Sequence, residues 1–154
     1  MYCYPVAPVN DGSRRPARRW GHFPTTADLG IWASGADANA LLEALGLGLF
    51  AVMTDLRRVR PRLERAVSAS ANDPTELVVA FLNELVLLAS ADGFLVRELE
   101  VRTIGHPATS LVAAARGEPI DAGRHVMRTE VKAATFHGLV FDPDRHRARV
   151  IVDI

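Results

Sequence analysis

Apolar and polar positions change period several times along this chain. Leu29, Ile31 and Ala33 alternate with Gly30, Trp32 and Ser34, the two-residue period of a short strand with Asp28 at its entry. Gly35 breaks the alternation, and Asp37 is an N-cap for a helix running towards Met53, in which Leu42, Leu45, Leu49 and Val52/Met53 recur at helical spacing. Gly46 and Gly48 each lower its propensity by about 1 kcal/mol relative to alanine, so this helix needs a sheet to lie on. A weaker strand pattern follows over Leu63–Ser70. Asp73-Pro74-Thr75-Glu76 is then a compact helix start: Asp73 caps, Pro74 stands where its missing N–H costs nothing, and Glu76 occupies the capping-box position. Leu77, Phe81, Leu85 and Leu88, widened by Val78 and Leu82, make the apolar stripe of this second helix, which Asp92-Gly93 ends. Downstream the pattern is of strands only, at 94–103, 110–117, 130–140 and 147–153, with Asp142-Pro143-Asp144 as the turn between the last two.

The element order β-α-β-α-β-β-β-β predicts an α+β two-layer sandwich, two helices packed on a mainly antiparallel sheet. No repeat or internal linker interrupts residues 20–154, which read as one domain. Residues 1–19 carry three prolines, few large aliphatic side chains and an arginine cluster, and read as a disordered basic arm.

Composition sharpens this picture in three places. The hydrophobic fraction is 49% of 154 residues, yet 23 residues are alanine, so large core-forming side chains are fewer than the fraction implies. The 18 basic and 18 acidic residues cancel overall, but Arg14, Arg15, Arg18 and Arg19 against Asp11 give the arm a net +3 and leave a net −3 on the body. That excludes a globally basic protein that coats nucleic acid, and leaves the arm a weak, salt-sensitive contact with RNA at most. Cys3 is the only cysteine, so there is no internal disulfide and no cysteine-rich zinc site. No apolar stretch is long enough to span a bilayer, and no apolar h-region follows the arginines, so the expected location is cytoplasmic, with no membrane partner.

The familiar enzyme signatures are missing: no glycine-rich phosphate loop, no Gly-x-Ser-x-Gly and no His-Glu-x-x-His. His22, His106, His125, His137 and His146 are scattered. Acidic residues at element ends carry more information: Asp28 before the first strand, Asp55 beyond the first helix, Asp153 on the last strand. An aspartate in so apolar a strand as Arg149–Ile154 needs a cation, a donor or an exposed edge. The α-carboxylate of Ile154 stands beside it, and two anions at that spacing resemble part of an oxygen-ligand site for a hard divalent ion. Lys132 is the single lysine among 18 basic residues, which hints at a position that needs a compact ammonium. A metal-dependent phosphoester hydrolase, holding its cation on Asp28, Asp55 and Asp153 with His137 as base, is one reading of these residues.

Five segments taken together resemble the archease family: Thr26-Ala27-Asp28-Leu29-Gly30-Ile31, Phe50-Ala51-Val52-Met53-Thr54-Asp55, Leu82-Asn83-Glu84-Leu85, Glu130-Val131-Lys132-Ala133-Ala134-Thr135 and Val152-Asp153-Ile154. The resemblance runs from about Trp20 to Ile154 and leaves only the arm outside. It implies an accessory protein, not itself the ligating enzyme, that promotes guanylylation and multiple turnover of an RtcB-type RNA ligase in tRNA splicing and RNA repair. RNA is then reached only indirectly, through the ligase. It also implies a divalent metal site on Asp28, Asp153 and the terminal oxygen of Ile154, calcium first with magnesium or manganese as alternatives, and it singles out Lys132 and Asp55 for activation of the partner. Three positions depart from the family pattern: Thr25 stands where a histidine is usual, Ala80-Phe81 replaces Asp-Trp, and Phe136 replaces a frequent tyrosine.

Overall fold

The computed structural model describes residues 17–154. Its elements run β1 (Arg19–Pro24), β2 (Leu29–Ser34), α1 (Ala38–Met53), β3 (Leu63–Ser70), α2 (Pro74–Ser90), β4 (Phe94–Ile104), β5 (Ser110–Pro119), β6 (Ala133–Asp142) and β7 (Arg147–Asp153), with short 3-10 turns at Leu56–Arg58 and Pro143–Arg145. Both helices begin where the capping residues predict. Asp37 accepts a hydrogen bond from the Ala40 N–H at 2.9 Å, and Asp73 accepts one from the Glu76 N–H at 2.9 Å. Glu76 reaches back one residue beyond the cap, to the Asn72 N–H at 3.1 Å. Gly93 takes the left-handed conformation, φ 61°, that ends α2.

The architecture is the α+β sandwich of two helices on antiparallel strands, and its strands divide into two sheets, in the orders β1-β2-β7-β6 and β3-β5-β4. α1 packs on β2 and β4, and α2 on β3 and β6, so each helix bridges both sheets. The core between them includes Phe50, Phe81, Phe94, Ile31, Leu45 and Leu85, all essentially without solvent contact.

Polar side chains on the helices explain why the sheets stay apart. An edge strand presents unpaired N–H groups that must find an acceptor. On the β4 edge, Glu43 of α1 accepts the Val101 N–H at 2.8 Å, and Asn39, one turn earlier, accepts the Thr103 N–H at 2.9 Å. On the β6 edge, Asn83 of α2 accepts the Ala134 N–H at 2.8 Å. Close approach sets the glycines: a Cβ on Gly46 would lie 2.4 Å from Leu99 Cδ1, and one on Gly117 would lie 1.7 Å from the Leu95 carbonyl oxygen of the neighbouring strand.

Two boundaries differ from the sequence reading. β1 was not foreseen: it pairs with β2 in the register Arg19↔Ser34 to Pro24↔Leu29 and buries Phe23. Most of the expected arm, residues 1–16, lies outside the described residues, whereas Arg19 opens β1 and Arg18 pairs with Glu43 at 3.0 Å. β6 begins at Ala133 and not at residue 130, because the chain from 120 to 132 crosses the end of the domain as an irregular segment. A buried polar cluster fastens that segment. The His125 Nδ1 accepts the Asp121 N–H at 2.9 Å, which leaves its Nε2–H to donate to Glu118 at 2.8 Å. Arg124 and the Arg60 N–H join it on the same oxygen, Oε1, while the buried Oε2 has no hydrogen-bond partner and has the Arg62 guanidinium 3.8 Å away. Burial pushes that carboxyl up, and the bonds from Arg124, the Arg60 N–H and His125 outweigh it and hold the group at about 2.

Candidate functional site

The end of β7 gathers residues that are far apart in sequence. β2 pairs with β7 in the register Leu29↔Val152, so Asp28, immediately before β2, and Asp153, the last residue of β7, lie at the same end of neighbouring strands. β6 flanks β7 on the other side with Ala133↔Asp153, and the Lys132 N–H donates to the Asp153 carbonyl at 2.8 Å. The Lys132 Nζ reaches the Ile154 main-chain oxygen at 3.5 Å. Asp153 is exposed, as are Lys132 and Ile154, while Val150 and Val152 are fully buried beneath them. The alternation along β7 turns Val150 and Val152 into the core and Ile151 to the other face, and Asp153 at the strand end stays exposed, where its carboxylate keeps its hydration.

Thr25 and Asp28 belong to the turn between β1 and β2. The Asp28 N–H donates to the Thr25 Oγ1 at 3.0 Å, a local bond that fixes the turn carrying the carboxylate. This is what the threonine does at the position where the family usually has histidine. A cavity of about 450 Å³ opens there, lined by Thr25, Asp28, His137, Gly138 and Arg149 among others. Its far wall is an arch in β6, where the register with β7 slips between Thr135 and Val140 and Gly138 adopts φ 62°. Phe136, at the departure from tyrosine, stands 57% exposed on this arch.

Asp55 is elsewhere. It follows α1 and caps the 3-10 turn, accepting the Arg57 N–H at 3.0 Å on Oδ1 and the guanidinium at 3.0 Å on Oδ1 and 2.9 Å on Oδ2. These side-chain and main-chain bonds from Arg57 hold its carboxyl at about 2. It lines a second cavity of about 420 Å³ with Trp20, His22, Arg57, Arg97 and Arg128, which shares no residue with the Asp28 cavity. Among the described residues no three His, Cys, Asp or Glu side chains come close enough together to hold a metal ion. The hydrolase arrangement, which needs Asp28, Asp55 and Asp153 around one cation, is therefore not assembled. His137 does line the Asp28 cavity, without a third acidic or imidazole group beside the pair.

The sequence reading missed the arginines of the Asp55 cavity and the buried Glu118–His125 pair. Arg97 sits at a β-bulge, between Val96↔Gly117 and Glu98↔Arg116, where the ladder skips it; no local pattern announces such a slip. Glu118 and His125 are only seven residues apart, and their burial arises from the crossing segment.

Among the described residues no helix is long and apolar enough to cross a membrane. The sequence profile of the Archease protein family matches residues 20–154. The chain is 37% identical to the protein archease of Thermococcus gammatolerans over 141 residues, covering 89% of this chain and 99% of that one. It is 30% identical to the archease-like protein of Drosophila melanogaster over 144 residues, covering 90% and 92%. The solution structure of Methanobacterium thermoautotrophicum protein 1598 superposes with a TM-score of 0.70 at 33% identity, covering 88% of this chain and 98% of that one. Matched in sequence from Trp20 to Ile154 and in fold across both sheets, the chain belongs to the archease family.

Proposed function

We propose that this protein is an accessory factor of an RtcB-type RNA ligase, acting in the cytoplasm in tRNA splicing and RNA repair by promoting guanylylation of the ligase and so its multiple turnover. The observation that carries this reading is the meeting of Asp28, Asp153 and Lys132 at one end of the β2-β7-β6 strands. These are the residues that the family motifs single out, and all three are presented together on one rim of the domain. A partner equilibrium shifts only if the accessory protein binds one state of the ligase better than the other. The rim offers two side-chain carboxylates and one ammonium for such state-dependent contacts.

The donor chemistry on this rim fits a hard divalent ion, calcium, magnesium or manganese: the carboxylates of Asp28 and Asp153 with a main-chain oxygen of Ile154, all oxygen ligands. With only two acidic side chains, water or the partner must complete the shell. A bound cation would supply positive charge to orient anionic groups of the partner. The chain's own contribution is positional: Thr25 fixes the turn that carries Asp28, and Lys132 holds the Ile154 oxygen by its ammonium and the β7 end by its N–H. Lys132 also places a cation next to those oxygens, so metal affinity is expected to be modest and to rise in Lys132→Ala.

The test counts ligations per ligase with GTP and Mn²⁺, with and without this protein. Stimulation in the wild type, lost in Asp28→Ala, Lys132→Ala and Asp153→Ala variants that melt like the wild type, is the expected result. Unchanged turnover with a competent cognate ligase refutes the reading.

A further inference from the structure

The cavity around Asp55 has a composition that the ligase reading does not use. Three guanidinium groups, from Arg57, Arg97 and Arg128, line it against a single carboxylate, Asp55. Arg57 is committed to Asp55 in a two-pronged bond. Arg97 and Arg128 form no ion pair or side-chain hydrogen bond among the described residues. Arg97 is half-buried and lies at the β4 bulge, a device that re-aims one side chain out of a regular ladder. Arg128 is carried in by the crossing segment, its N–H anchored on the Met53 carbonyl at 2.7 Å. That anchor matters for the alternative explanation, that the arginines merely complement the negative end of α1. Of the last four carbonyls of α1, Phe50 and Met53 have main-chain donors, from Thr54 and Arg128, and among the described residues neither the Arg97 nor the Arg128 guanidinium hydrogen-bonds to any of the four, so neither is spent on the helix end by a direct bond.

The part of the wall that β1 supplies is aromatic. Trp20 and His22 occupy alternate positions of β1 and so share a face, with ring centroids 5.6 Å apart and planes tilted by 34°. His22 is tethered to the Gly48 carbonyl at 2.8 Å, which holds this wall against α1. Two guanidinium forks without a hydrogen-bonded partner, lining one cleft with an indole, match a ligand with a phosphate at one end and a flat ring at the other. A cleft of about 420 Å³ is also within the range that accommodates a small ligand. An acidic peptide would use the arginines and leave the indole without a role.

We propose that this cleft binds a nucleoside phosphate, its phosphate on Arg97 and Arg128 and its base stacked on Trp20. The shared chemistry has two sources, a free nucleotide or the terminal nucleotide of an RNA strand. Base stacking on tryptophan tolerates any base, so discrimination among bases is expected to be weak. Asp55 keeps Arg57 in place at the rim, and its charge is also felt by Arg128.

The experiment uses the full chain without any ligase, so its outcome is independent of whether a ligase is stimulated. Tryptophan fluorescence is followed during titration with GMP, AMP and inorganic phosphate, and anisotropy with a fluorescein-labelled single-stranded RNA bearing a terminal phosphate. Expected are saturable quenching by both nucleotides, competition by phosphate without quenching, and loss of the quenching in Trp20→Phe. Arg97→Ala and Arg128→Ala are each expected to weaken binding by about tenfold, with partial recovery in Arg97→Lys and unchanged melting. Tighter binding of the RNA than of GMP assigns the strand end; equal or weaker binding assigns the free nucleotide. The proposal is overturned if no probe binds saturably at millimolar concentration, or if the arginine variants bind like the wild type. It is equally overturned if those variants only lower the melting temperature, which would assign the arginines to the end of α1. Loss of a protein complex in Arg97→Glu, with no nucleotide bound by the wild type, would make the cleft a protein contact instead.

Discussion

Replacing Glu118 by glutamine should expose how the crossing segment is held. The carboxylate is 2% exposed and collects the His125 Nε2–H at 2.8 Å, the Arg60 N–H at 3.2 Å and the Arg124 guanidinium. Glutamine keeps the shape and can keep its oxygen on the three donors, which all meet Oε1, but it removes the charge and turns an N–H₂ to the buried Oε2 position near Arg62. The carboxyl is held at about 2 against an ordinary value of 4.5, which corresponds to roughly 3 kcal/mol of native-state stability, in line with the cost of breaking a buried charged pair. For a domain of this size that lowers Tm by about 10 °C. The pH dependence carries the sign: a depressed folded value contributes fully above 4.5 and is lost as pH falls towards about 2. Urea unfolding followed by far-ultraviolet circular dichroism at pH 7, 5, 4 and 3 should therefore show the wild type well ahead of Glu118→Gln at pH 7 and the gap closing below pH 4.5. A gap that stays constant with pH, or one below about 1 kcal/mol throughout, would refute the argument that the ionised carboxylate fastens this segment.

Gly117→Ala is expected to abolish cooperative folding, since its Cβ would sit 1.7 Å from a backbone oxygen that cannot move away without breaking the β4–β5 ladder; thermal melting checks this. Gly46→Ala meets only the methyl ends of Leu99 and Leu85, so an overpacking cost of about 1–3 kcal/mol is partly offset by a helix gain of about 1, and the variant should fold with a modestly lower Tm. Asp73→Ala removes the α2 cap and should cost about 1 kcal/mol in denaturant unfolding. Asn83→Ala leaves the Ala134 N–H without its acceptor and should cost about 1–3 kcal/mol, with faster amide exchange along the first residues of β6.

Both helices were legible because their signals are local. Asp37 and Asp73 each bond an N–H three residues on, and Gly93 ends α2 within its own turn. β1 was not, because its evidence is a partner: Trp20, Gly21, His22 and Phe23 make too short an alternation to separate from a loop until β2 lies beside it. The split into two sheets was invisible for a related reason. It depends on Asn39, Glu43 and Asn83 taking N–H groups from strand residues 64, 58 and 51 positions away in sequence. On a helix those residues read as ordinary polar positions, and nothing in their spacing says that they cover a sheet edge.

The rim at the end of β7 shows where pattern stops and strand order begins. Alternation marks Asp28, Lys132 and Asp153 only as residues at strand ends, and such ends are numerous. What brings them together is that β7 lies between β2 and β6 in its sheet, so its last residue has one neighbour from each. A β-α-β-α-β-β-β-β succession is compatible with other orders, several of which would separate the three residues by a strand or more. The family resemblance grouped these three residues where periodicity did not. It also selected Asp55, which the fold assigns to a different cleft with its own arginines. A motif residue 27 positions after Asp28 in sequence is thus not a fourth member of the rim, and if the ligase depends on Asp55, that dependence must run through a second surface of the domain.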